Sequence, residues 1–524
     1  MKVKEDSGRP PVTKQATKKQ TILNRLYCAT LEGMEAQRVE VEATFTRGLP
    51  TFTVVGLANS DIQEAKERVK SALLVNGFSF PPLKITIGLS PSELRKSGSQ
   101  FDLSLALLIA MYERAFEEEG LYVFGELGLD GKVKSSSMLF PLILSLKERG
   151  VLKRAIVPQE AMVSLRHISG VAFYPVATLL EAITLLTNGS FTAVSMQSGY
   201  EGKRLEIEGS VYYYCEEYER DFLDVKGQEV AKRAGLIASA GMHNFFMEGN
   251  PGSGKSMIAK RLRDILPPLD EASLLQIARH QFLEGTAPSF KPIRPMRSPH
   301  HTATSASIFG GGSQQAKIGE VALANKGILF FDELPHFSKK VLEALREPLQ
   351  DKVVNISRVH SKISYEADMM FVTAQNPCPC GNLLSQTEVC RCSASEIQRY
   401  QNRISDPLLD RMDIFVVMQE VSASDSSSLS SAQMHQAVIE AFKVQKRRGQ
   451  VRLNGKLTES EVEQFCLLTQ EAMEILEKAI SRFGLSHRAI DSLKRVSRTI
   501  ADLAGEAHIG RSAMLEALSY RRRR

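Results

Sequence analysis

The chain contains no tryptophan, an absence that decides nothing about its class. Other absences decide more. No window approaches the roughly 18 uncharged apolar residues that a membrane span needs. The nearest, Leu103 to Met111, contains Ser104 and runs into Glu113 and Arg114, so a buried helix is expected there. The first residues are polar and basic (Lys2, Lys4, Arg9, Lys14, Lys18, Lys19) with no apolar stretch ahead of a cleavage site, and a secretory signal is not expected. Cysteine is scarce and unevenly placed: four of seven fall between Cys378 and Cys392, while Cys28, Cys215 and Cys466 stand alone. That spacing excludes a disulfide framework and fits a reduced, cytoplasmic protein.

What is present is ordinary for a soluble globular chain: 43% hydrophobic and 24% charged residues over 524 positions, room for about three domains. A net charge of +6 permits a nucleic-acid partner without requiring one.

The stretch from Phe245 to Ile265 is the most informative. Phe245 to Glu248 reads as a buried strand, and Gly249-Asn250-Pro251-Gly252-Ser253-Gly254-Lys255-Ser256 fits G-x-x-x-x-G-K-[ST]. A helix follows, with Met257, Ile258, Leu262 and Ile265 expected to pack inward. Glycines let successive backbone N–H groups turn toward phosphates, and the helix N-terminus favours negative charge. Lys255 is placed to reach the outer phosphates of a nucleotide and Ser256 to ligate Mg2+. Downstream, Gly327 to Phe331 reads as an apolar strand ending in Asp332 and Glu333. Asp332 suits Mg2+ directly or through water, and Glu333 suits polarisation of an attacking water. Met369 to Ala374 reads as a further buried strand.

Two segments leave alternatives open. His300 and His301 suggest metal, but adjacent residues do not share a helix face and no carboxylate partner is evident. Cys378-Pro379-Cys380 and Cys390-Arg391-Cys392 supply four thiols as two C-x-C pairs, readable as a structural Zn2+ site or as free thiols.

Upstream, strands are expected between Asn24 and Thr53 and over Lys84 to Gly88. A helix capped by Ser60 or Asp61 is expected between them, a polar loop over Ser90 to Asp102, and a strand and turn over Tyr122 to Gly131. Tyr212-Tyr213-Tyr214 could stack on bases or form a packing strand.

Gly48-Leu49-Pro50, Val55-Gly56-Leu57, Glu64 to Leu73, Ser97 to Leu103 and Gly125-Glu126-Leu127 resemble the amino-terminal domain of the ComM family of magnesium-chelatase-like AAA+ proteins. The resemblance covers about residues 22 to 515 and implies an α/β fold: a P-loop AAA+ core with a helical lid, preceded by a Lon-protease-like (S5-like) α/β domain. At the position where Lon proteases carry their nucleophile this chain has Gln100, whose amide is no nucleophile, with Ser97, Ser99 and Lys96 nearby. Asp224 to Gln228 matches the segment that borders the adenine pocket, and Asn376 the sensor that orients the lytic water. Arg411, in Leu408-Leu409-Asp410-Arg411, matches the arginine finger, with Arg403 a second candidate, and Arg488 matches the second sensor. A finger acts on a neighbour's γ-phosphate, so a homohexameric ring is implied. The segment around His300, Phe309 to Gly312 and Lys317 matches the family's insert, a candidate DNA hairpin extended by Arg346, Lys352, Arg358, His360 and Lys362.

The domain plan is a disordered basic tail (1–21), the Lon-like domain (22–189), a connector (190–222), the ATPase core (223–421), a Ser-rich hinge (422–432), the lid (433–520) and a basic tail (521–524). The implied activity is Mg2+-dependent ATP hydrolysis driving branch migration of DNA recombination intermediates, including those of natural transformation. A chelatase-type ATPase remodelling a protein, or a nucleotide-switched binding module, are the alternatives.

Overall fold

The computed structural model describes residues 25–522 except 115, 117–119, 195–198, 312–316, 358–361, 421–425 and 427. The expected basic tail, Gly312, Arg358, His360 and much of the Ser-rich hinge lie outside the described residues.

Nine strands open the chain: β1 (Arg25–Glu32), β2 (Glu35–Thr46), β3 (Thr51–Val55), β4 (Lys84–Ser90), β5 (Leu121–Val123), β6 (Glu126–Leu127), β7 (Val133–Lys134), β8 (Arg154–Pro158) and β9 (Ala172–Val176). Seven of them form one mixed sheet in the order β3-β4-β2-β1-β5-β8-β9, while β6 and β7 form a small hairpin. In β2 the alternation Val39, Val41, Ala43 faces the core while Glu40 and Glu42 between them are half-exposed, the period expected of a strand with one buried face. The helix Ser60–Val75 is capped by Asn59, not by Ser60 or Asp61. Asn59 has extended backbone, which brings its side-chain oxygen 3.4 Å from the Ile62 N–H. The apolar helix begins at Asp102, one residue earlier than expected, after a single 3-10 turn over Ser99–Phe101. The strand expected over Tyr122 to Leu129 is broken, because Gly125 N–H turns away to the Gln100 carbonyl (3.1 Å) and leaves the sheet.

The expected connector is itself structured. Strands β10 (Lys203–Ile207) and β11 (Ser210–Tyr214) make a hairpin. The tyrosine run is a packing strand: Tyr212 meets Phe442 edge-on, Tyr213 packs on Tyr200 and Tyr214 on His435.

The remaining strands are β12 (Phe245–Glu248), β13 (Leu269–Asp270), β14 (Met296–Arg297), β15 (Gly310–Gly311), β16 (Lys317–Ile318), β17 (Ile328–Phe331), β18 (Val353–Ser357), β19 (Lys362–Glu366), β20 (Met370–Gln375) and β21 (Ile414–Val417). Strand β13 joins the β10-β11 hairpin. The second large sheet is parallel throughout, in the order β14-β17-β20-β12-β21. Its inner strands β17 and β20 are buried at every residue, as a parallel sheet covered on both faces requires. Such a sheet presents ligand sites outside the carboxyl ends of its strands. Helices Ser431–Arg447, Gln470–Phe483, His487–Leu503 and Arg511–Ser519 share one core with the helix Glu229–Gly241 and this sheet.

The amino-terminal sheet unit docks on the helix Glu271–Glu284 and on Phe290 in the loop after it. Phe140 stacks on Phe282 at 4.8 Å, His167 stacks on Phe290 at 4.0 Å, and Arg279 pairs with Glu148 at 2.8 Å. Among the described residues no helix is long and apolar enough to cross a membrane.

Candidate functional site

The turn from β12 into the helix Lys255–Leu262 passes through Gly252 (φ 76°) and Gly254 (φ 91°), left-handed positions that side chains disfavour. Within the helix Ile258 and Leu262 are buried, as is Ile265 just beyond it. Met257, expected to pack inward, is 42% exposed. It sits one turn position away from the stripe set by Ile258 and Leu262.

Lys255 is folded across its own loop. Its Nζ donates to the carbonyls of Gly249 (2.7 Å) and Asn250 (2.8 Å) and to Asn376 Oδ1 (3.2 Å). Burial pushes its ammonium below the ordinary lysine range, while Asp332, Glu248 and Glu333 pull the other way. Ser256 Oγ donates to Asp332 Oδ2 at 2.6 Å, and Asp332 Oδ1 accepts the Glu333 N–H at 3.0 Å. Lys255, Ser256, Asp332, Glu333 and Asn376, up to 121 residues apart, therefore meet at the carboxyl ends of β12, β17 and β20. Pro251 and Gly252 are exposed at the loop's tip, Ser253 is buried, and Asn250 Nδ2 donates to Glu420 Oε1 at 3.0 Å.

Three neighbours of this cluster make contacts that the sequence did not foretell. Gln228, at a left-handed φ of 60°, donates through Nε2 to the carbonyls of Ser253 (3.1 Å) and Gln419 (2.6 Å) and so braces the loop from outside. His301 has a carboxylate partner after all: its Nδ1 lies 3.8 Å from Glu333 Oε2. The rings of His300 and His336 flank it at 4.1 and 5.8 Å. Tyr400, whose hydroxyl burial raises to about 12, meets the Asn376 backbone. Only the order of β14 beside β17 brings His301 to Glu333, and no local pattern signals it.

The arginines lie elsewhere. Asn244 Nδ2 donates to the Arg411 carbonyl at 2.8 Å, which fixes Arg411 at the amino end of β12. The phosphate loop leaves the other end, a four-residue strand away, roughly 13 Å at ~3.3 Å per residue. The Arg411 guanidinium donates to the carbonyls of Arg346 (3.0 Å) and Pro407 (2.6 Å) and to Gln350 Oε1 (2.7 Å). Burial lowers its pKa, and the charges of Arg488 and Arg346 add to the effect, so Arg488 lies close enough to Arg411 to act on it. Arg403 instead donates to the Pro335 carbonyl (3.2 Å) and lines a cleft with Lys339 and Arg399.

Of the basic residues around the insert, Lys317 is exposed on β16. Arg346 pairs with Glu343 at 2.8 Å. Lys352 is turned inward, donating to the Lys456 carbonyl (3.0 Å) with Asp368 at 3.9 Å, and burial lowers it to about 8. In the amino-terminal unit Gln100 is a buried strut, its Nε2 donating to the carbonyls of Ala29 (3.1 Å) and Ser97 (2.9 Å). Ser99 Oγ donates to Glu126 and Lys96 Nζ to the Pro91 carbonyl, so the two do not engage each other.

Cys378, Cys380, Cys390 and Cys392 converge, with all four sulfurs within 4.8 Å of one another. Sγ separations of 3.4 Å (Cys378 to Cys380), 3.7 Å (Cys378 to Cys390) and 3.6 Å (Cys380 to Cys390) approach the edge of a thiolate tetrahedron around Zn2+, about 3.8 Å for Zn–S bonds of about 2.3 Å. Cys392 Sγ also accepts the Cys380 N–H at 3.4 Å. The tight C-x-C spacing is thus compatible with one tetrahedral ion.

Three family profiles match the chain: magnesium chelatase, subunit ChlI, over residues 221–426; subunit ChlI of Mg-chelatase over 41–161; and the subunit ChlI C-terminal family over 428–521. The competence protein ComM of Haemophilus influenzae is 34% identical over 95% of this chain and 97% of its own length. The protein YifB of Salmonella typhimurium is 36% identical over 93% of this chain and 95% of its own. The magnesium-chelatase 67 kDa subunit of Heliobacterium mobile is 23% identical over 29% of the chain and 27% of its own length. Likeness over nearly the full length of both partners, together with an assembled phosphate loop and acidic strand end, makes this chain a member of the ComM/YifB family of magnesium-chelatase-like AAA+ proteins.

Proposed function

We propose that the chain is a cytoplasmic Mg2+-dependent ATPase that works as a homohexameric ring and drives branch migration of DNA recombination intermediates. The observation that carries the ATPase reading is the Ser256–Asp332 hydrogen bond (2.6 Å) beside the Lys255–Asn376 one (3.2 Å), which unites phosphate loop, acidic strand end and sensor. Gly249, Asn250, Pro251, Gly252, Ser253 and Gly254 wrap the phosphates, the glycine turn offering backbone N–H groups while Pro251, which has none, shapes the loop. Lys255 exchanges its loop carbonyls for the outer phosphates. Ser256 and Asp332 would hold Mg2+, which supplies charge neutralisation to the phosphate oxygens. Glu333 accepts a proton from the attacking water, and Asn376 orients that water. Arg411, at the end of β12 opposite its own phosphate loop, serves the pocket of an adjacent copy, with Arg488 beside it as the second sensor.

The amino-terminal unit is read as a Lon-protease-like domain without a peptidase centre, since Gln100, Ser99 and Lys96 are committed to structural partners. The carboxy-terminal helices are read as the AAA+ lid. The four cysteines are assigned a structural Zn2+. The name of the Haemophilus influenzae relative, a competence protein, supports DNA as the substrate, as do exposed Lys317 and the net charge of +6. A second reading, an ATPase that remodels a protein partner, is favoured by the match to magnesium-chelatase subunits.

Branch migration of a synthetic four-way DNA junction by the purified protein separates the two. The DNA-motor reading expects ATP-dependent strand exchange that disappears in Lys255→Ala and Glu333→Gln. ATP hydrolysis without any action on forked or four-way DNA would overturn it in favour of the protein-remodelling one.

A further inference from the structure

The cysteine segment does more than sit near the nucleotide pocket. It begins two residues after Asn376, just past the end of β20 at Gln375, and folds back onto the phosphate loop. Gly381 has a φ of +87°, and a Cβ there would lie 2.6 Å from both Cγ and Cδ of Pro251, so its backbone rests directly on that proline ring. A second tie runs through Glu420. Its carboxylate accepts from Asn250 Nδ2 (3.0 Å), from the Gln386 N–H (3.3 Å) and from Ser385 Oγ, joining the phosphate loop and the cysteine segment through one side chain. At the segment's start, Cys378 is fully buried and the Pro377 carbonyl accepts from Gln401 Nε2 at 3.3 Å.

The segment has little else to hold it. Between β20 and the helix Ala394–Gln401 there is no helix or strand, and Leu383, Leu384 and Val389 are 37%, 41% and 84% exposed. Ordering the backbone costs conformational entropy, and burial this slight does not offset it. The convergence of four thiols supplies the missing cross-link, because a metal that binds only the ordered arrangement contributes its binding free energy to that order.

We propose that the tetrathiolate site is a clamp on the phosphate loop: metal bound by Cys378, Cys380, Cys390 and Cys392 holds Gly381 against Pro251 and Glu420 against Asn250, and thereby sets the affinity for nucleotide. This rests on the zinc reading given above. Metal loss frees Pro251 and Asn250, and nucleotide binding weakens before any catalytic group is touched.

The test measures two quantities on the full chain: bound zinc per chain by elemental analysis, and equilibrium affinity for a fluorescent ATP analogue. Cys390→Ser should lose the metal and bind the analogue at least about tenfold more weakly, as should wild-type protein stripped with a chelator, with ZnCl2 restoring the stripped protein. Gly381→Ala and Glu420→Gln should keep the metal yet weaken binding in the same direction, because they cut the ties and not the thiolates. Should Cys390→Ser fail to fold, the stripped protein and these two variants still decide. Unchanged affinity in the stripped protein with zinc otherwise bound overturns the clamp and leaves the zinc site standing. Absence of zinc from the purified protein, and no uptake of ZnCl2, overturns both.

Discussion

Asn244 and Arg411 are joined at the end of β12 opposite the phosphate loop, the Asn244 side-chain amide donating to the Arg411 carbonyl at 2.8 Å. If, as proposed, Arg411 serves another copy's pocket, Lys255→Ala and Arg411→Ala should each abolish ATP hydrolysis alone, the latter by about 10^3-fold or more. An equimolar mixture should recover activity, since the intact Arg411 of one variant completes the intact Lys255 pocket of the other. Steady-state ATPase rates of the two variants and their mixture check this, and a silent mixture would place both groups in one chain's pocket.

In the proposed mechanism Glu333 acts on the attacking water and not on the phosphates, so Glu333→Gln should bind ATP normally and hydrolyse it about 10^2- to 10^4-fold more slowly. Nucleotide titration alongside single-turnover hydrolysis distinguishes this from a binding defect.

His301, 3.8 Å from the Glu333 carboxylate, should position it. His301→Ala is expected to lower kcat about tenfold with little change in KM for ATP, and His301→Gln to recover part of the loss. Equal loss in kcat and affinity would mean the histidine merely supports the fold.

Four buried or nearly buried histidines, His167, His243, His280 and His435, are each held down to about 4 by burial. Unfolded, each titrates near 6.5, so between the two values the unfolded chain binds more protons. Their contribution to stability is complete above about pH 6.5 and is lost as pH falls toward 4, each histidine adding a slope of about 1.4 kcal/mol per pH unit. Urea midpoints at pH 7, 6 and 5 should fall progressively. His243→Gln, which keeps a partner for Thr499 Oγ1 (2.7 Å from His243 Nε2), should flatten the decline.

In the amino-terminal unit Asp102 has no exposed side-chain surface and pairs with Arg68 at 2.7 Å. Removing one partner of a buried pair strands the other charge, at a cost of about 3–5 kcal/mol. Arg68→Met should destabilise the protein by that order in denaturant unfolding, and adding Asp102→Asn should return part of it.

The pieces of the site legible in the sequence are those whose chemistry is local. The phosphate loop needs its glycines, lysine and serine within eight positions, and Asp332-Glu333 closes an apolar run. The cysteines announce themselves by crowding. What escaped depends on distant chain: Gln228 reaching Ser253, His301 meeting Glu333 because β14 lies beside β17, and Lys352 turning inward to Asp368. Fold-level details have the same origin. The tyrosine strand β11 needed β13, 56 to 58 residues on, to become the middle of a three-stranded sheet, and the break at Gly125 needed the Gln100 carbonyl.

The aromatic seam of Phe140 on Phe282 and His167 on Phe290 packs the amino-terminal unit against the helix Glu271–Glu284 and the loop after it. That helix leads through β14 to His301, at the lip of the nucleotide pocket. The leading unit is thus joined to the rest of the chain by packed aromatic side chains and not by the polypeptide link alone.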